Sequence, residues 1–217
     1  ENDMINQTEI SLARHCISHA IASGASAARV SLSKSVTDAY TILNGELDKV
    51  SHSADRSIYL YLFADGRYGT FSTNRLEEKE LEEFIVKAIE MVRMLGEDEY
   101  RRLPDPERTA KDAVTGRELG LFDETYYEIS AEDRLEGALR LSRFDQISKE
   151  AAGYRLISEE CEYSCTADDN YLADSNGFEG RHSETTFGTF TEMTIEDPEG
   201  NKYSGFWWEN SPYYDKL

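Results

Sequence analysis

The amino-acid sequence predicts an α+β fold: an antiparallel (or mixed) β-sheet meander packed against two or three helices, with a second β-rich segment toward the C-terminus. Three observations predict it. Asn44-Gly45 and Asp65-Gly66 are tight-hairpin signals, because a type I′ turn needs positive φ at both central residues and Asn, Asp and Gly tolerate it best. Between them, Ile58-Tyr59-Leu60-Tyr61-Leu62-Phe63 is apolar or aromatic at every position, the pattern of a strand covered on both faces. Finally, strand patterns cluster instead of alternating one by one with helical ones, which disfavours parallel βαβ order.

The elements follow in chain order. Residues 8–23 read as a helix, with Ile10, Ala13, Ile17, Ala20 and Ile21 on one stripe and Gly24 as its stop. Residues 28–43 are strand-like: Val30 and Leu32 alternate with polar neighbours, and Val36, Tyr40 and Ile42 continue the run. Residues 44–74 hold the two hairpins. Asn74 with Glu77 resembles a capping box that opens a second helix. Leu81, Phe84, Ile85, Ala88, Ile89, Val92 and Leu95 give that helix a continuous core stripe, and Gly96 is expected to end it. The pattern then dissolves. Leu103-Pro104-Asp105-Pro106 cannot continue a helix, and Gly116 and Gly120 follow. Connections this long often border a binding cleft or a subunit contact. Ser130 with Asp133 opens a third helix, expected to run to about residue 150 with Leu135, Ala138, Leu139 and Ile147 toward the core.

After Gly153 the chain turns β-rich. Strands are predicted over 154–167, 170–173, 185–195 and 202–208, with turns at 174–177 and 197–201. Trp207-Trp208 and Tyr213-Tyr214 crowd large aromatics near residue 217, and such rings usually pack against something. Either they fold back on the same domain or the chain belongs to something longer. The expected organisation is one domain over 1–217: helix, meander and helix in 1–96, a long connection in 97–130, and a helix plus β-rich segment in 131–217.

Composition narrows the function classes. The 217 residues are 39% hydrophobic and include 13 Tyr, 9 Phe and 2 Trp, which excludes a disordered acidic tail. The formal charge is −20, from 43 acids against 23 bases. Such a surface repels phosphate backbones, so no direct nucleic-acid binding is expected. No apolar run approaches the ~18 residues of a membrane span, and no signal-peptide core is visible. The chain begins at Glu1 instead of Met, which leaves room for a removed leader. Three cysteines (Cys16, Cys161, Cys165) are an odd number and no disulfide framework; they point to a reducing, cytoplasmic compartment.

Each candidate for chemistry has a plainer reading beside it. His15 and His19 have the four-residue spacing that lets two imidazoles hold one metal, but the helical wheel sets them opposite Ile10 and Ile17, as two exposed polar residues. Ser51-His52-Ser53 with Asp55 suggests a triad, yet neighbouring residues on a strand point to opposite faces and no nucleophile elbow is present. His182, between Arg181 and Ser183, reads as a solvated strand start. Cys161 and Cys165 could share a strand face, without a Cys-x-x-Cys motif. Glu77-Glu78 and Glu82-Glu83 read as a solvated helix face. Asp168-Asp169-Asn170 could collect calcium, but lacks the EF-hand pattern and a turn explains it. There is no P-loop and no G-x-G-x-x-G. The residues thus assign no catalytic, metal or cofactor-binding position.

Several stretches resemble the N-terminal half of the TldD/PmbA (TldE) family, long labelled modulators of DNA gyrase. They are Ala25-Ser26-Ala27-Ala28-Arg29-Val30-Ser31-Leu32, Asn44-Gly45-Glu46-Leu47-Asp48-Lys49-Val50, Asp65-Gly66-Arg67-Tyr68-Gly69-Thr70-Phe71-Ser72-Thr73-Asn74, Leu103-Pro104-Asp105-Pro106 and Asp174-Ser175-Asn176-Gly177-Phe178-Glu179-Gly180. All five occur in family order across nearly the whole chain. The resemblance implies the α+β N-terminal domain of a two-domain peptidase subunit. It implies that the zinc motif, His-Glu-x-x-x-His with a later Cys, lies in the other half of TldD-type subunits and is missing from PmbA-type ones. This sequence has no His-Glu dipeptide, so no zinc, other cofactor or catalytic residue is expected within it. The resemblance further implies a homo- or heterodimer with a TldD/PmbA-type subunit and unfolded peptide as substrate. The alternative is an acidic module that modulates gyrase without enzymatic activity.

Overall fold

The computed structural model describes residues 4–150 and 153–217, and its first element is α1, Gln7–Ala22. Asn6 caps it: its side chain accepts from the Glu9 amide at 3.0 Å, and the Glu9 carboxylate accepts from the Asn6 amide at 3.0 Å, so two otherwise unpaired amides are satisfied reciprocally. At the other end Gly24 turns left-handed, at φ 97°. The Gly24 amide reaches the Ile21 carbonyl and the Ala25 amide reaches Ala20, a Schellman closure that glycine makes cheap.

The three strands of the meander are β1 (Ala27–Leu43), β2 (Glu46–Ala64) and β3 (Arg67–Thr73). Both expected hairpin turns form, with Asn44 at φ 53°, Gly45 at 86°, Asp65 at 50° and Gly66 at 69°. β2 and β3 pair antiparallel from Ile58 opposite Thr73 to Ala64 opposite Arg67. The expectation that this strand is covered on both faces needs correction. Ile58, Leu60 and Leu62 are fully buried, whereas Tyr59 is 45% exposed. A tyrosine keeps its hydroxyl in water and so occupies an open face without penalty.

Helix α2, Glu78–Val92, is shifted from its predicted start. Its N-cap is Glu77, which makes no side-chain capping bond, so Asn74 is not the cap. Glu78 and Glu80 in the first turn instead place negative charge at the positive end of the helix dipole. The helix also ends before Leu95 and Gly96, and Leu95 is half exposed. Past Val92, Arg93 donates to Asp65 at 3.1 Å and to the Gly24 carbonyl at 3.3 Å. The long connection that follows holds two short 3-10 turns, Pro106–Arg108 and Glu124–Tyr127.

The single helix expected to 150 is two. Helix α3, Ala131–Leu141, opens on the predicted Ser130/Asp133 capping box, and α4 is Phe144–Glu150. Ser142 is extended between them. The buried Glu159 carboxylate collects the Arg143 and Phe144 amides at 2.8 and 3.0 Å, so the break is a hydrogen-bonded restart. Ala138 is buried as expected, whereas Leu139 is 43% exposed.

The last strands are β4 (Arg155–Asp174), β5 (Glu179–Glu196) and β6 (Lys202–Ser211). β4 runs unbroken through Asp168-Asp169-Asn170, where the sequence suggested a turn between two strands. The six strands form one antiparallel sheet in the order β3-β2-β1-β4-β5-β6. By compactness the chain divides into two units: Glu1–Ser35, Ala54–Leu119 and Asp168–Ser183 in the first, and Val36–Ser53, Gly120–Ala167 and Glu184–Leu217 in the second. In the first, Ala13, Cys16 and Ala20 of α1 and Leu81, Ile85 and Ile89 of α2 share a core with Leu32, Ile58, Leu60 and Leu62. Each fully buried Leu or Ile contributes about 1.5–3 kcal/mol. The second unit buries Val36, Ile42, Tyr126, Cys161, Tyr163 and Phe187. Among the described residues no helix is long and apolar enough to cross a membrane.

Candidate functional site

β6 is the last strand of the sheet, and among the described residues no further strand pairs with its outer edge. It pairs only with β5, from Phe187 opposite Ser211 to Glu196 opposite Lys202. Along it Tyr203 is 52% exposed, Phe206 69%, Trp207 74% and Trp208 59%. Alternation puts Tyr203, Gly205 and Trp207 on one face with Met193 and Ile195 of β5, around a shallow groove of about 510 Å³. The other face carries Phe206, stacked on Phe190 with ring centroids 6.4 Å apart, and Trp208. Gly205 leaves open space where a side chain would stand. Open backbone donors and acceptors flanked by aromatic surface suit an extended chain of unspecified sequence.

A fully enclosed charge lies in the first unit. Asp169 is fully buried and accepts from the Ile5 amide at 2.8 Å, from Arg181 at 3.0 and 2.5 Å, and from the Ser183 hydroxyl at 2.8 Å. Arg181 also donates to the Ile5 carbonyl at 2.8 Å. Burial pushes the Asp169 carboxyl up, but these donors outweigh it and hold the group below its ordinary value. The site is closed, and its arrangement is a lock instead of a ligand pocket. Sequence reasoning missed it, because a mid-strand Asp and an Arg twelve residues later show no periodic signal.

The other sequence candidates disperse. His52 pairs with Asp38 at 2.8 Å and its side chain is 62% exposed, so the carboxylate at its ring comes from β1. His182 lies at an isolated β-bridge with Gly116. All three cysteines are free and buried. Burial pushes the Cys16 thiol up to about 12 and raises Cys161 and Cys165 as well, so thiolate chemistry at neutral pH is suppressed. His15 and His19 are the exception to their plain reading. They are partly buried, and Glu82 of α2 comes within 2.8 Å of His15 Nε2 and 3.8 Å of His19 Nδ1. A helical wheel of α1 alone could not show a partner supplied by another helix. None of these groups reproduces a His-Glu-x-x-x-His centre, so the residues present do not fit the peptidase zinc.

The class of protein these features define is an α+β sheet domain with one open, aromatic edge. Residues 28–92 match the family described as PmbA/TldA metallopeptidase domain 1. A proposed modulator of DNA gyrase from Bacteroides thetaiotaomicron is 33% identical, with a TM-score of 0.86 over 99% of this chain and 47% of its own. A second proposed modulator of a DNA gyrase, from Thermotoga maritima, shares the fold at 16% identity and a TM-score of 0.69, over 96% of this chain and 44% of its own. TldE from Thermococcus kodakarensis shares it at 12% identity and a TM-score of 0.70, over 94% and 44%. A comparison with curated proteins found no match. The chain belongs to the TldD/PmbA family, as its N-terminal domain. It spans about half the length of the solved relatives.

Proposed function

We propose that this chain is the non-catalytic N-terminal domain of a TldD/PmbA-type peptidase subunit. It helps enclose a chamber for unfolded peptides and contributes contacts to a homo- or heterodimer with a TldD/PmbA-type partner. The open edge of β6, with Tyr203, Phe206, Trp207 and Trp208 exposed beside it, carries the reading. Main-chain hydrogen bonds to a strand edge accept any extended sequence, and aromatic faces add contact without demanding one side chain. Folded proteins present few free strands and are left alone. The peptidase zinc belongs to the half of the family polypeptide that these residues do not cover. Three free, buried cysteines support a reducing, cytoplasmic setting.

The two tryptophans of the chain both lie on this edge, so selectively excited tryptophan fluorescence reports it alone. Titrating the protein with unfolded, carboxymethylated casein peptides should give a saturable blue shift, and a folded control protein should give none. Trp207→Ala with Trp208→Ala, which leaves no tryptophan and is therefore followed by calorimetry, should weaken binding at least ten-fold. Saturable binding with the indoles still fully solvated would reject the edge as the site, and no binding at all would reject the peptide reading.

A second reading rests on the charge of −20 and on the relatives described as proposed modulators of DNA gyrase. An acidic surface could occupy a DNA-binding groove. Inhibition of supercoiling by the purified protein, weakening as salt rises, would favour this reading over the first.

A further inference from the structure

Among the described residues one group of three metal-ligating side chains converges: His15 and His19 of α1 with Glu82 of α2, all donor atoms within 4.8 Å of one another. We propose that these three side chains form a zinc-class divalent cation site that ties α1 to α2, separate from any peptidase centre. The two histidines sit one helical turn apart, with ring centroids 6.0 Å apart, so both rings reach the same side of α1. Glu82 meets them from the neighbouring helix, with Oε1 at 2.8 Å from His15 Nε2 and 3.8 Å from His19 Nδ1.

Geometry favours a cation over a simple hydrogen-bonded trio. Tetrahedral zinc with bonds of about 2.0–2.1 Å holds adjacent donors about 3.3 Å apart. The two separations to Glu82 bracket that value, and all three donor atoms lie within 4.8 Å of one another. The hydrogen bond between His15 and Glu82 leaves His19 unexplained. Its Nδ1 lies beyond hydrogen-bond range of Glu82, and its Nε2 is buried with no hydrogen-bond partner. A cation held at Nδ1 gives that nitrogen the partner that Glu82, at 3.8 Å, does not supply. Two nitrogens and one carboxylate select zinc or its borderline neighbours over magnesium and calcium, which prefer oxygen. Three protein ligands leave a fourth position for water, facing a cleft of about 520 Å³ whose rim includes Glu83 and Glu90 with Lys87. The acidic rim raises the local cation concentration.

The test titrates chelator-stripped, dialysed protein with zinc by calorimetry, and with cobalt by visible absorption and by NMR of the histidine rings. One saturable site of micromolar or tighter affinity is expected at these residues, with a rise in Tm as zinc is added. His15→Gln, His19→Gln and Glu82→Gln should each weaken it at least ten-fold and lower the zinc content by one ion per chain, while His52→Gln changes nothing. A hundred-fold excess of magnesium should not compete. Circular dichroism checks that each variant folds; should one fail, cobalt broadening of the His15 and His19 ring signals in the unaltered protein decides instead. Absence of that broadening, unchanged uptake by a folded His15→Gln/His19→Gln variant, or displacement by magnesium would overturn the site. The outcome is independent of peptide binding at β6.

Discussion

The core beneath α1 and α2 and the edge at β6 solve opposite problems. Around the first, large apolar side chains are hidden: Leu32, Ile58, Leu60, Leu62, Ile85 and Ile89 are at most 1% exposed, and the charge that enters is paired and capped. At the second, four aromatic rings lie half or more in water. Isolated exposed apolar residues are ordinary, but a contiguous aromatic cluster on a strand with one open edge is not. The difference teaches that stability and recognition are housed apart. One region loses free energy when a side chain is removed, and the other gains it when something arrives.

The largest expected effect tests the closed region. Asp169→Ala removes the acceptor of four hydrogen bonds and takes the countercharge from the Arg181 guanidinium, whose side chain is 20% exposed. Breaking a buried pair in this way costs about 3–5 kcal/mol. Urea unfolding should show that loss in the midpoint with little change in slope. A loss below about 1 kcal/mol, the scale of an exposed ion pair, would mean that the lock is wet and the contrast with the edge overdrawn.

Much of the fold was legible in the sequence, and the reason is locality. Asn44-Gly45, Asp65-Gly66, Gly24 and the Ser130/Asp133 box each encode a backbone conformation within a few residues, and the structure realises all of them. The misses share a different cause. Asn74 gave way to Glu77 as N-cap, the helix to 150 was interrupted by Glu159 from β4, and Asp169 was taken for a turn residue because its partners, Ile5 and Arg181, are distant in sequence. His15 and His19 were assessed on one helix when the third donor sits on another. The crowding of aromatics near residue 208 was visible, but not that they line a strand edge, because edge position is a property of the whole sheet.

A smaller effect sharpens the comparison at the rim of the closed region. The Glu118 carboxylate accepts from the Val114, Thr115 and Gly116 amides at 3.0, 2.7 and 2.9 Å. These bonds, the Thr115 amide first, hold it near 2 against an ordinary 4.5. A depressed carboxylate stabilises the fold above its unfolded value and loses that contribution as pH falls toward its folded one. Glu118→Gln mimics the protonated form. Its Tm should therefore lie below that of the unaltered protein by a constant amount above pH 4.5, and the gap should close between 4.5 and about 2. A gap that does not depend on pH would assign the loop's order to packing instead.

The smallest expected effect bears hardest on the open edge. Trp207→Ala with Trp208→Ala removes two large side chains, and in a core each such change costs about 3–5 kcal/mol. At 74% and 59% exposed, these rings bury too little surface for that. The unbound double variant should stay within about 0.5 kcal/mol per substitution of the original, as solvated sites do, even as peptide binding falls. Differential scanning calorimetry of the free protein gives the measurement. A Tm drop of core size would show that the tryptophans stabilise the isolated domain, and the edge would then be packed against its own chain instead of held open for another.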